Sequence, residues 1–286
     1  MSSAESGWDE RIERARALAA EHAAAAGILT FYASLAGYQR SLCCRPPQSW
    51  GPFSHFFQTV DLDGASAAVP DFLAWLQEAA PEPLASAATA MLRLERQEWR
   101  QLMDRWLTQP DVDHGDLDDR PRADDAMTFV MEAVVQPFTE AAAIAWRADG
   151  GPKPSAPDVR APRCPICFGR PVVAILREEG HGARRTLLCA LCLNEWEFPR
   201  VVCPACDEQR FDALPVYTAD VFSHVRIDAC DSCKRYLKTV DLTKNGLAVP
   251  LVDDLASVAL DLWAHEQGYR RLRTNLLRTA EVQSQE

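Results

Sequence analysis

At 286 residues, with 48% hydrophobic and 25% charged side chains, the chain has the make-up of a soluble globular protein large enough for more than one domain. Its formal charge of −11 argues against general affinity for nucleic-acid backbones, which needs a basic surface and released counterions. No apolar run approaches the ~18 residues of a membrane span, and the opening MSSAESGWDERIERARALAA lacks a basic start followed by an apolar stretch. A cytoplasmic protein without membrane insertion is expected.

Residues 8 to 147 predict helices. Ser6 is placed to cap the first, in which Trp8, Ile12, Ala15 and Leu18 recur at helical spacing. Ile28, Phe31, Leu35, Tyr38 and Leu42 form a second stripe, ended by Cys43-Cys44-Arg45-Pro46-Pro47, where two prolines stop a helix. Adjacent cysteines cannot grip one ion between them as a two-residue knuckle does, so Cys43 and Cys44 read as small buried side chains. Pro70 is expected to open a helix bearing Phe72, Leu73 and Leu76, and Leu92, Trp99, Leu102 and Trp106 to line the next. Residues 110 to 125 hold seven aspartates without apolar periodicity, which predicts a solvated loop; its glycine is misplaced for a calcium loop. Met127, Val130, Met131, Val134 and Phe138 mark a last bundle helix, in which Pro137 should give a kink or break.

Residues 150 to 162, GGPKPSAPDVRAP, hold four prolines and two glycines, a composition that sustains neither a helix nor an inner strand. The predicted organisation is therefore a helical domain at 1–149, a linker at 150–162, two small four-cysteine modules at 163–200 and 201–250, and a C-terminal helix and tail at 251–286. The fold class is α+β.

Eight of the ten cysteines fall in Cys-x-x-Cys pairs: Cys164 with Cys167, Cys189 with Cys192, Cys203 with Cys206, and Cys230 with Cys233, separated by 21, 10 and 23 residues. In a reducing compartment such pairs read as metal ligands before disulfides. Two intervening residues let a tight turn aim both sulfurs and nearby amides at one ion, and two such knuckles complete a tetrahedron. The long gaps approach zinc-ribbon spacing and contain strand-like text. Pro171 to Leu176 and Arg185 to Leu188 flank Gly180 and Gly182 as a hairpin, and Leu214 to Tyr217 and Phe222 to Ile227 repeat the form. The first two pairs are thus expected on one ion and the last two on another; a crossed arrangement, first pair with third, stays open. A thioredoxin-like redox reading lacks its βαβ context. Sites filled by four sulfurs leave no position for water or substrate, so a structural rather than a hydrolytic role is expected of them. His181 and His224 read as turn or surface residues. Trp196 and Phe198, alternating with Glu195 and Glu197, should form a strand that shields the sites. Asp253 and Asp254 should complement the dipole of a last helix whose buried face is Leu255, Val258, Ala259 and Leu262.

The segments CPIC at 164, LCALCLNEW at 188, RVVCPAC at 200, CDSCKRYLK at 230 and VDDLASVALDLWAHEQGY at 252 resemble the formate dehydrogenase accessory protein family, FdhE. The resemblance is close over 164 to 269 and loose before it. One departure stands out: family knuckles often carry glycine after the second cysteine, where this chain has Phe168, Leu193, Asp207 and Lys234. The resemblance implies a cytoplasmic maturation factor with two rubredoxin-like modules. Such a factor binds the catalytic subunit of formate dehydrogenase and is not itself the oxidoreductase. Four sulfurs accept iron or zinc. A rubredoxin-like electron carrier and, against the charge, a zinc-ribbon nucleic-acid binder remain as alternatives; the carrier would leave the long helical part unexplained.

Overall fold

A computed structural model describes residues 3–42, 53–108, 123–148, 161–180 and 182–277. Cys43, Cys44, His181, residues 110–122 and linker residues 150–160 lie outside them. Helices α1 (Ser3–Glu21), α2 (Ala26–Ser41), α3 (Leu62–Ala79), α4 (Glu82–Met91), α5 (Arg96–Thr108) and α6 (Ala123–Ala148) precede the strands. Helix α1 starts at Ser3, so Ser6 lies inside it. Asp61 caps α3 by accepting from the Gly64 amide at 2.8 Å, and Pro70 therefore sits within that helix. Leu92 falls after α4 and is exposed. The last three residues of the aspartate-rich segment form the first turn of α6.

Helix α6 runs through Pro137 as one element. Proline has no amide to give to the carbonyl four residues back. That carbonyl, of Ala133, instead accepts from Nε2 of the buried Gln39 at 2.7 Å, so α2 repairs the gap and is tied to α6.

Strands β1 (Pro171–Glu179), β2 (Gly182–Cys189), β3 (Glu195–Glu197), β4 (Val216–Thr218), β5 (Val225–Ala229), β6 (Arg235–Asp241) and β7 (Arg270–Arg271) form one sheet in the order β3-β2-β1-β6-β5-β4, with β7 beside β6. The β1–β2 hairpin brings Glu179 opposite Gly182 across a turn in which Gly180 has φ +56°, a conformation that suits glycine. Both modules are joined by a parallel pairing of Ala174–Leu176 with Thr239–Asp241. The modules therefore share one continuous sheet.

Alternation along the strands sorts the apolar side chains into two cores. Ala174, Leu187 and Leu237 join α3–α6 on one face. Val173, Ile175, Tyr236, Val240 and Ile227 join α1, α2 and the helices α7 (Pro250–Ala256) and α8 (Val258–Glu266) on the other. Helix α2 serves both, with Leu35 in the first core and Leu29, Tyr32 and Ala36 in the second. The ion pairs Arg11–Glu140 and Arg14–Asp253 fasten α1 to α6 and α7.

Candidate metal centres

All four knuckles fold alike. The amide of the first cysteine donates to the carbonyl five residues on: Cys164 to Gly169 at 2.8 Å, and Cys189 to Asn194, Cys203 to Glu208 and Cys230 to Arg235, each at 2.9 Å. Closing so tight a loop drives the residue after the second cysteine left-handed. Phe168, Leu193, Asp207 and Lys234 have φ of 58°, 53°, 59° and 57°, and they are the positive-φ non-glycine residues among those described. The missing glycines noted in the sequence are thus a strain that each knuckle carries, about 1–2 kcal/mol per residue. At Gly169 a Cβ would stand 3.0 Å from Cys189 Sγ and 3.3 Å from Cys167 Sγ, so the backbone there needs glycine to pass the sulfurs. The amides of Ile166, Leu191 and Ala205 each point at the first sulfur of their knuckle at 3.4 Å.

The sulfurs of Cys164, Cys167, Cys189 and Cys192 gather in one place and those of Cys203, Cys206, Cys230 and Cys233 in another, all within 4.8 Å of one another in each group. The uncrossed grouping is the one observed. Cys164 and Cys192 sulfurs are 3.6 Å apart and those of Cys167 and Cys189 3.3 Å; the second group has Cys203–Cys233 at 3.8 Å and Cys206–Cys230 at 3.6 Å. A metal–sulfur bond of about 2.3 Å in a tetrahedron puts its sulfurs about 3.8 Å apart. Both donor sets fit that ion, and the separations are far from the ~2.05 Å of a disulfide. Bound there, zinc or iron would supply a cross-link and folding energy to modules with little core of their own.

The two sites differ in their surroundings. All four cysteines of the first are buried, within the same core as α3–α6. Helix α6 grips its second knuckle: Gln136 Nε2 donates to Ala190 O at 2.9 Å, Thr139 Oγ1 to Leu191 O at 3.0 Å, and Arg147 Nη1 to Asn194 Oδ1 at 3.1 Å. Asn194 in turn faces Cys164 Sγ at 3.7 Å. In the second site Cys206 is exposed and Cys233 half-buried. Burial raises the Cys164 thiol, but hydrogen bonds from Cys167, Cys189 and Cys192 outweigh it and hold the group well below its ordinary value, while burial drives Cys167 and Cys192 up. At the second site, burial raises Cys203 and pushes Cys233 up to about 11, while hydrogen bonds from Cys233 and Cys206 overcome burial and lower Cys230.

Trp196 and Phe198 are buried beside the first site, as their alternation predicts, and Trp196 Nε1 donates to Ala161 O at 3.0 Å. The aspartates do more than complement a helix dipole. Asp253 accepts from the Val249 amide at 2.7 Å, but also meets Arg14 at 2.6 Å and His224 Nε2 at 2.7 Å, so His224 is a half-buried partner rather than a surface residue. Asp254 and Asp261, both fully buried, face Lys238 and Arg271. Lys238 Nζ lies 2.6 Å from Asp261 Oδ2 and 3.1 Å from Asp254 Oδ1; Arg271 pairs with both aspartates. Tyr236 and Asn275 donate to Asp261 and Asp254 at 2.8 and 3.0 Å. Of these residues Asp253, Asp254 and His224 stand out in the sequence; Arg14, Tyr236, Lys238, Asp261, Arg271 and Asn275 do not.

Comparison with known proteins agrees with this geometry. The FdhE central domain matches residues 163–200, and the FdhE C-terminal domain residues 201–278. Residues 163–278 are thus similar to FdhE domains along their whole length. An FdhE homolog of Aquifex aeolicus is 39% identical over 116 residues, covering 40% of this chain and 41% of that one. One from Pseudomonas aeruginosa is 37% identical over 123 residues, covering 40% and 38%, and one from Shewanella oneidensis 32% over 114 residues, covering 40% and 37%. The chain thus matches about two fifths of each relative's length. The crystal structure of FdhE from Pseudomonas aeruginosa superposes on 96% of both chains with a TM-score of 0.71 at 22% identity, so the helical part shares that fold as well. Among the described residues no helix is long and apolar enough to cross a membrane.

Proposed function

We propose that the chain is a cytoplasmic accessory factor in the maturation of a formate dehydrogenase. In this reading it binds the catalytic subunit and holds one ion in each four-cysteine site without being an enzyme itself. The observation that carries this reading is the pair of four-sulfur clusters inside a stretch that matches FdhE domains end to end. All eight cysteines act as ligands in this reading, and residues 1–149 form the helical domain, tied by the 150–162 linker to modules at 163–200 and 201–250 and a C-terminal element at 251–286. The test has three parts. Metal analysis should find about two ions of iron or zinc per chain. A tagged chain should co-purify with the catalytic subunit, and deleting its gene should remove formate oxidation that the purified chain lacks. Normal formate dehydrogenase activity in the deletion strain would defeat the proposal.

The exposure of Cys206 favours one second reading, electron transfer through the second site, because a sulfur at the surface offers a short path to a partner. A reversible one-electron wave on the iron-loaded protein, absent from Cys206→Ser, would favour it. Failure of a zinc-loaded form to support formate dehydrogenase activity while still binding the client would decide for it.

A further inference from the structure

Between the β2–β3 ribbon and the second site lies a cavity of about 50 Å³, lined by Arg185, Arg200, Arg226, Arg235 and Asp228, with Cys203 and Cys230 in its wall. At roughly 10–15 Å³ for a water-sized group it has room for about three to five such groups. Four arginines and one aspartate line it beside the second group of sulfurs.

The one carboxylate is already committed. Asp228 Oδ2 accepts from Thr239 Oγ1 at 2.7 Å and lies 3.3 Å from Arg185 Nη2, while Oδ1 lies 2.8 Å from Arg226 Nε. Arg185 is 3% exposed. Its Nη1 donates to the carbonyls of Pro199 and Val202 at 3.2 and 3.3 Å, but its buried Nε has no hydrogen-bond partner among the described residues. A buried guanidinium with an unused donor is costly unless something completes it. Burial lowers the Arg185 pKa despite Asp228. Arg200 is exposed and Arg226 and Arg235 half-buried, so a ligand has a charged approach from solvent.

We propose that this cavity is a binding site for a small oxyanion, a carboxylate or phosphate-class group of about three to five heavy atoms, held beside the second metal site. Planar guanidinium forks match the paired oxygens of such groups and discriminate against a spherical halide. The site follows from the cavity alone and does not depend on the identity of the client enzyme.

The test is calorimetric titration of the metal-loaded full chain with sodium formate and with sodium phosphate, at constant ionic strength set by sodium chloride. Saturable one-to-one binding of either anion is expected. Tighter formate would assign the site to trigonal carboxylates, and tighter phosphate to tetrahedral anions. Arg226→Gln should weaken binding roughly tenfold, as loss of a charge-assisted hydrogen bond does, and Arg200→Gln about threefold, as loss of an exposed charge does. Both variants should keep their metal and circular dichroism. Should Arg226→Gln lose its metal, the exposed Arg200 decides alone. Heats that do not saturate, or an affinity that Arg200→Gln leaves unchanged, would overturn the proposal.

Discussion

Lys238 provides the sharpest test of how the sheet holds its C-terminal helices. It lies on β6, fully buried, with Asp254 and Asp261 of α7 and α8 on one side and Arg271 completing the group. Two cations and two carboxylates make this network neutral. Lys238→Met keeps much of the side-chain volume but leaves a net −1 sealed from water. Breaking one partner of a buried pair costs about 3–5 kcal/mol, and at about 2–4 °C per kcal/mol for a domain of this size Tm should fall by roughly 6–20 °C. Asp261→Asn alone should also destabilise, by leaving a net +1. Combining the two restores neutrality, so the double variant should be more stable than the sum of the single losses by about 1–3 kcal/mol. Thermal and guanidinium unfolding followed by circular dichroism, with metal content held equal, measures all four proteins. Simple additivity would refute the idea that neutrality of the network is what α7 and α8 rely on.

Lys234→Gly should raise stability by about 1 kcal/mol by relieving a left-handed residue at the cost of a weak exposed ion pair with Asp231. Leu193→Gly relieves the same strain but should lose about 2 kcal/mol or more, because its side chain is buried; denaturant titration separates the two signs. Under a chelator with timed metal detection, the site containing the exposed Cys206 should release its ion first, and Cys203→Ser should remove that early phase while Cys164→Ser removes the late one. Burial raises the Asp253 carboxyl, but hydrogen bonds from His224 and Arg14 outweigh it and hold it below its ordinary value. Its contribution is therefore complete above the unfolded value of about 3.9 and is lost as pH falls below that. Asp253→Asn should make stability flatter below about pH 4, as measured by acid titration of tryptophan fluorescence.

What the sequence disclosed and what it hid have separate physical causes. Knuckle spacing is local and rigid, so the grouping of Cys164 with Cys189 and of Cys203 with Cys230 was legible, as were the first hairpin and the shielding role of Trp196. Strand β6 was not read, because Lys238 interrupts its apolar face at the position where burial is greatest. The partners that make that burial possible, Asp261 and Arg271, are 23 and 33 residues away, and one of the visible aspartates had a sufficient local explanation in the helix start. The absent glycines after each knuckle were visible but acquired meaning only with the backbone angles. Pro137 predicted a kink or a break; the helix continues through it, and the carbonyl it leaves free is taken by Gln39, 98 residues earlier, a pairing that no local pattern carries.

The parallel junction of β1 with β6 has a consequence for dissecting the protein. The two FdhE domain matches meet between residues 200 and 201, yet the hydrogen bonds between Ala174–Leu176 and Thr239–Asp241 cross that point. A fragment ending at 200 would bare the Ala174–Leu176 edge, and one starting at 201 would bare the matching edge of β6. Open apolar strand edges seek other chains, so each half expressed alone should self-associate even with its own four cysteines fully loaded, whereas co-expressed halves should find each other.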